Sequence, residues 1–249
     1  MSADVVLLET VEPGIARIVM QDRVHRNGFS PALIDGLVRA FEAVGADEEV
    51  RAVILTGYDS YFASGGTRDA LLKLHDGAGR FTDRPLYDLP LHCPVPVIAA
   101  MQGHGIGGGF VMGLFADFVL LSRESIYTTN FMKYGFTPGF GATCIVKERL
   151  GSALANEMLI TARNYRGEEL ARRGAPYPAL PRAEVAEAAL SLARDVADKP
   201  RVSLVTLKHR LTEELRAALP KATAAEVEMH AKTFNLPEVR QRIASLFDA

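Results

Sequence analysis

Residues 96–109, PVIAAMQGHGIGGG, decide how this chain is read. The first six are apolar without interruption, the pattern of a strand buried on both faces. The glycines at 103, 105 and 107–109 follow at once, and an apolar helical pattern then runs to Phe115. Glycine admits positive φ and lets backbone approach backbone or ligand closely. A helix start leaves unpaired N–H groups and a partial positive charge, so a strand–glycine loop–helix junction is suited to holding negative charge.

The same design occurs upstream. Residues 50–56 (VRAVILT) form a second buried run, and Phe62-Ala-Ser-Gly-Gly-Thr67 precedes a helical pattern over 67–74. Residues 5–8 and 14–20 read as a hairpin around Pro13-Gly14. Ser30 and Pro31 suit the N-cap and first position of a helix carrying Leu33, Leu37, Phe41 and Val44. Residues 117–121 form a third buried strand. Strands alternating with helices predict stacked β/α units around a parallel sheet. Residues 150–159, 167–173, 183–197, 202–218 and 223–233 have helical patterns, so the last quarter is nearly all helix. With no low-complexity linker, the expectation is a core at 1–195 with a helical C-terminal extension at 196–249.

The 249 residues carry 28 Lys and Arg against 30 Asp and Glu, a net charge of −2. That balance argues against nucleic acid or an anionic membrane as partner. Cys93 and Cys144 have neither disulfide nor zinc spacing, which implies a reducing compartment. The N-terminus has no basic and apolar leader pattern, so the cytoplasm is expected.

Two uses of the glycine loops remain open on the residues alone. Phosphate binding would call for G-x-G-x-x-G on the first βα turn or a following Lys-Ser/Thr; Gly103-His-Gly-Ile-Gly-Gly carries the glycine spacing formally, but it lies mid-chain and no Lys-Ser/Thr follows. Alternatively, one N–H from each loop converges on a thioester oxygen as an oxyanion hole.

Phe62-Ala-Ser-Gly-Gly-Thr resembles the F-x-A-G-x-D element of the crotonase (enoyl-CoA hydratase/isomerase) superfamily, and Gly103-His-Gly-Ile-Gly-Gly-Gly its G-x-x-x-G-G-G element. Asn27 in Arg23-Val-His-Arg-Asn-Gly, Asp117-Phe-Val-Leu-Leu and Tyr134-Gly-Phe-Thr-Pro-Gly fall in the family's order. The resemblance covers essentially the whole chain. It implies an α/β spiral of ββα units, assembly as a homotrimer or a dimer of trimers, and an oxyanion hole from the N–H groups of Gly66 and Gly108. It also implies where two hydratase glutamates would stand, at Val111 and Phe131. Neither side chain transfers protons, so ordinary hydration is not expected.

Decarboxylation needs no base to form the enolate, because departing CO₂ leaves its electron pair behind. Tyr61-Phe-Ala-Ser-Gly-Gly-Thr, Ala116-Asp-Phe and Asn130-Phe-Met-Lys-Tyr-Gly-Phe-Thr-Pro look like the second hydratase-like enzyme of polyketide β-branching cassettes. That branch implies a 3-methylglutaconyl group on the phosphopantetheine of an acyl carrier protein, with no further cofactor and no metal. It implies Lys73, with Arg68 as second choice, for the substrate carboxylate, and His230 for proton delivery. His104 either lines the pocket or serves as a loop hydrogen-bond residue, and Tyr134 falls beside the site by motif. Lys208, His209 and Arg210 read either as a solvated helix face or as a basic patch steering the acidic carrier protein. An enoyl thioester isomerase and a non-catalytic scaffold are the rival readings.

Overall fold

The computed structural model describes residues 4–77 and 86–247; Met1–Ala3, part of the N-terminal stretch considered above, lie outside them. Strands β1 (Val6–Glu12) and β2 (Ile15–Met20) form the hairpin, turning at Gly14 with φ +80°. Helix α1 (Pro31–Ala46) starts where the sequence places it, with Ser30 Oγ accepting the Leu33 N–H at 3.2 Å.

Three ββα units then succeed one another. The first is β3 (Ala52–Thr56), β4 (Tyr61–Ala63) and α2 (Arg68–His75). After the short α3 (Leu89–His92) come β5 (Val97–Met101), β6 (His104–Ile106) and α4 (Gly108–Leu114). The third is β7 (Phe118–Ser122), β8 (Ile126–Thr128), a 3₁₀ turn (Asn130–Tyr134) and α5 (Ala142–Thr161). In each unit the first strand joins a large sheet and the second a small one. The remaining elements are β9 (Tyr165–Arg166), α6 (Gly167–Arg172), β10 (Ala179–Leu180), α7 (Arg182–Ala197), α8 (Arg201–Thr233) and α9 (Pro237–Leu246).

The large sheet runs β1-β2-β3-β5-β7-β10 and the small one β4-β6-β8-β9. From β2 to β10 the large sheet is parallel, and so is β4-β6-β8. This is the expected spiral of ββα units. It also explains the unbroken apolar runs. Val53 and Leu55 enter the main core, while Ala52, Ile54, Ile98 and Ala100 pack under Val185, Ala189 and Ala193 of α7. Both faces of the sheet are dry at β3 and β5, so alternation is absent from those two runs.

The sequence pattern misses the second strand of every unit, because three residues are too few to show a period. Two helical expectations also change. Residues 202–218 and 223–233 belong to one helix, α8, which runs through Pro220. Proline there removes one helical N–H bond, but buried Thr212, Leu219 and Glu226 hold both sides of it in place. Residues 150–159 belong to α5, which begins at Ala142 and is broken at Gly151 (φ +74°, ψ 160°).

The basic cluster at 208–210 is not a single solvated face. Lys208 is buried, pairing with Asp117 and donating to the Pro90 and Val95 carbonyls. Arg216 donates to the Leu91 carbonyl. Lys208 and Arg216 therefore stitch α8 onto the α3–β5 connection.

Candidate active site

Asn27 fixes the first glycine loop. Its buried amide donates to the carbonyls of Met20 (3.0 Å) and Phe62 (2.9 Å), and its oxygen accepts the Asp22 N–H at 2.8 Å. This ties the end of β2 to β4. Ser64 Oγ donates to the Arg26 carbonyl and the Phe29 N–H to the Gly65 carbonyl, fastening the loop from both sides. Gly65 has φ +73°, and a Cβ there would lie 2.9 Å from the Ile106 oxygen and 3.1 Å from the Gly108 nitrogen. Only glycine permits both that backbone and that approach. The first loop thus lies directly against the start of α4. Gly107 caps α4 at φ +54°, ψ −125°, and a Cβ there would meet Asn130 Oδ1 at 2.6 Å.

These two loops form the floor of a cavity of about 650 Å³. Gly65, Gly66, Gly107 and Gly108 line it, and neither the Gly66 nor the Gly108 N–H donates to another group among the described residues. One wall is aromatic: Phe131, Tyr134, Phe136, Phe140 and Phe247. Tyr134 stacks between Phe136 and Phe247, with centroids 6.1 and 5.9 Å away. Phe29 and Phe140 enclose Gly108, where a Cβ would meet their rings at 2.9 and 3.2 Å. A second wall is cationic, with Arg26, Arg68 and Lys73, and His25 also lines the cavity. Among the described lining residues Asp69 is the one carboxylate, and it is exposed.

The structure brings together Gly66, Gly108, Arg68, Lys73, Phe131 and Tyr134, all of which line the cavity. Arg68 is half-buried and donates to the Ala244 carbonyl at 3.3 Å, while its buried Nε has no hydrogen-bond partner among the described residues. Lys73 is exposed and forms no ion pair with them.

Three of the candidate residues do not line this cavity. Val111 is wholly buried inside α4. His104 sits behind Tyr61, its Nδ1 accepting the Ile126 N–H at 2.9 Å, so its neutral ring carries the proton on Nε2. Burial, with help from Arg182 and Arg166, pushes its pKa down. His230 stands one layer behind the aromatic wall. Its ring lies 6.2 Å from that of Phe136, and its Nε2 contacts the Thr137 carbonyl at 2.6 Å. Burial lowers its pKa as well, outweighing the hydrogen bond to Thr137, which raises it.

Sequence reasoning passed over Phe136, Phe140, Phe247 and His25. The phenylalanines come from separate segments, and nothing in their spacing marks a common wall. His25 hides a stronger signal, since Asp22 three residues earlier is buried and holds its Nδ1 at 2.9 Å. Among the described residues no helix is long and apolar enough to cross a membrane, and no three His, Cys, Asp or Glu side chains gather as a metal site.

The chain is 57% identical over 247 residues to the bacillaene synthase decarboxylase PksI of Bacillus subtilis, covering 99% of both sequences. Its structure resembles one from a dehydratase/decarboxylase enzyme couple involved in polyketide β-branching, with TM-score 0.97, 57% identity and coverage of 99% of this chain and 97% of that one. The ECH2 decarboxylase domain of CurF from Lyngbya majuscula matches with TM-score 0.93 and 46% identity, covering 97% of this chain and 98% of that one. The enoyl-CoA hydratase/isomerase family model matches residues 10–246. With the ββα spiral and paired glycine loops in place, the chain is a member of the enoyl-CoA hydratase/isomerase family.

Proposed function

We propose that this enzyme decarboxylates a 3-methylglutaconyl-type thioester carried on an acyl carrier protein during polyketide β-branching. One observation carries the reading: two uncommitted backbone N–H groups, of Gly66 and Gly108, meet at a cavity that lacks a pair of carboxylates. The N–H groups supply an oxyanion hole, which stabilises any enolate of the thioester. Hydration would need an acid and a base beside the substrate, and the exposed Asp69 is a single carboxylate.

The thioester carbonyl accepts from Gly66 and Gly108, and the substrate carboxylate lies toward Arg68 and Lys73. The bond from that carboxylate to the γ-carbon breaks, and its electron pair enters the dienolate held by the two N–H groups. CO₂ leaves, and one proton returns to carbon. The aromatic wall keeps water from the anion, so the hydrogen bonds to it act in a poorly screened site. Arg68 is the better placed anchor, because its buried Nε is without a partner among the described residues. Lys73, exposed and lining the same cavity, adds a second positive charge.

His230 supplies the proton in this reading. A neutral imidazole held behind Phe136 must pick up a proton and reach the acyl group, and its lowered pKa makes it a willing donor once charged. The substrate arm is phosphopantetheine, no other cofactor takes part, and the enzyme works in the cytoplasm. Residues 196–249 close the site and join the subunits of a trimer or a dimer of trimers.

The test is intact-mass analysis of a 3-methylglutaconyl carrier protein after incubation with enzyme. Loss of CO₂ supports the proposal. A shifted double bond without mass change would indicate isomerisation, and inertness would indicate a scaffold.

A further inference from the structure

Glu226 is buried, 2% exposed, and its carboxylate accepts three hydrogen bonds. The Gly141 N–H reaches Oε2 at 2.7 Å; the Thr143 N–H and hydroxyl reach Oε1 at 2.8 and 2.6 Å. Those donors belong to the start of α5, a part of the chain 83–85 residues away. One helical turn later on α8, His230 contacts the Thr137 carbonyl at 2.6 Å, and Thr233 Oγ1 lies 2.9 Å from Thr137 Oγ1. Helix α8 therefore grips segment 137–143 at both ends.

That segment is conformationally demanding, with positive φ at both Phe140 and Gly141. Phe140 adopts φ +63°, a conformation costly for a bulky side chain, and a Cβ at Gly139 would lie 2.6 Å from the His230 ring. The strained Phe140 ring lines the cavity, meets Phe29 edge-on at 6.0 Å and Tyr87 at 5.1 Å, and packs against the Cα side of Gly108. Backbone strain of this kind persists only where the surroundings over-determine it. Gly141 N–H, the next donor along the chain, is held by Glu226.

We infer that Glu226 is a positioning residue: by clamping Gly141 and Thr143 it holds Phe140 in its left-handed conformation and so packs that ring against the Cα side of Gly108, whose N–H is the oxyanion-hole donor. Phe140 fixes the place of the Gly108 backbone by packing against its Cα side, and Glu226 acts on the reaction only through it. The inference rests on the reading of Gly108 as an oxyanion donor.

The test uses the full-length enzyme and an isotope-labelled 3-methylcrotonyl pantetheine thioester, followed by difference infrared spectroscopy. In the wild type, binding lowers the carbonyl stretching frequency. Glu226→Gln and Phe140→Leu should each lose most of that shift and lower kcat about tenfold. KM should stay within about twofold. The double variant should lose no more than the worse single one, since both remove one coupled element. Thr143→Val, which deletes one of the three donors, should show a smaller loss of shift and keeps the test available if Glu226→Gln fails to fold. Additive losses in the double variant, or an unchanged shift in Thr143→Val and Glu226→Gln, would overturn the inference. A wild type that lowers the carbonyl frequency yet releases no CO₂ would sink the decarboxylase reading while leaving the role of Glu226 standing.

Discussion

Lys208 Nζ lies 2.7 Å from Asp117 Oδ2 inside the protein, joining the long helix α8 to the start of β7. Asp117 also accepts the Val97 N–H at 2.8 Å, so one carboxylate secures two strands and a helix. The pair is 3% and 17% exposed, and the two carbonyls on Lys208 complete its coordination. Removing one partner strands the other charge away from water. Lys208→Ala should therefore cost about 3–5 kcal/mol in chemical denaturation. A loss below about 1 kcal/mol, the range of exposed pairs, would show that the pair is solvated in solution.

The oxyanion loop allows a paired test at one position. A Cβ on Gly66 would meet the flexible end of Leu71 at 3.1 Å, so Gly66→Ala should fold and keep its N–H. Gly66→Pro keeps a small residue but deletes the donor. It should lose about 10²–10³ in kcat relative to Gly66→Ala, measured as CO₂ release from the thioester. Equal rates in the two variants would remove Gly66 from the oxyanion hole.

The cationic wall makes a separate prediction about ligands. Arg68→Met and Lys73→Met should each lower turnover of the glutaconyl thioester by about tenfold or more, because each contributes charge to the carboxylate seat. Binding of the 3-methylcrotonyl thioester, which lacks that carboxylate, should be unchanged by titration calorimetry. Parallel losses for both ligands would assign these residues to the carrier arm or to structure.

His230 sets a pH dependence in two observables. Burial holds its folded pKa below the ordinary value of about 6.5, so between the two values the unfolded chain binds more protons. Its contribution to stability is present above about pH 6.5 and is lost as the pH falls toward the folded pKa. His230→Asn should flatten that part of the stability profile relative to wild type. As proton donor His230 must be charged, so kcat should decline as pH rises through its lowered pKa. A wild-type kcat that stays flat from about pH 5 to 7 would exclude it.

Glycine placement made the site legible in the sequence because the physical demand is local. Gly65 needs positive φ beside another backbone and Gly107 needs it beside the Asn130 side chain, and few residues other than glycine satisfy that. Ser30 and Pro31 were equally plain, since capping chemistry acts within three residues. The continuous runs at β3 and β5 announced burial on both faces. What the sequence concealed depended on distant partners. Lys208 looks like a surface lysine until Asp117, 91 residues earlier, arrives beside it. Glu226 sits in a polar helical stretch, and its burial follows from where α5 begins. Phe136, Phe140 and Phe247 form a wall only after α5 and α9 have packed.

The most direct measurement of the central claim loads a 3-methylglutaconyl group on a carrier protein, adds the enzyme, and follows the intact acyl-carrier mass together with CO₂ release. The account predicts loss of one CO₂ per acyl chain, with no gain of water on a 3-methylcrotonyl carrier offered in parallel. An acyl mass that stays constant, or rises by one water, would contradict it.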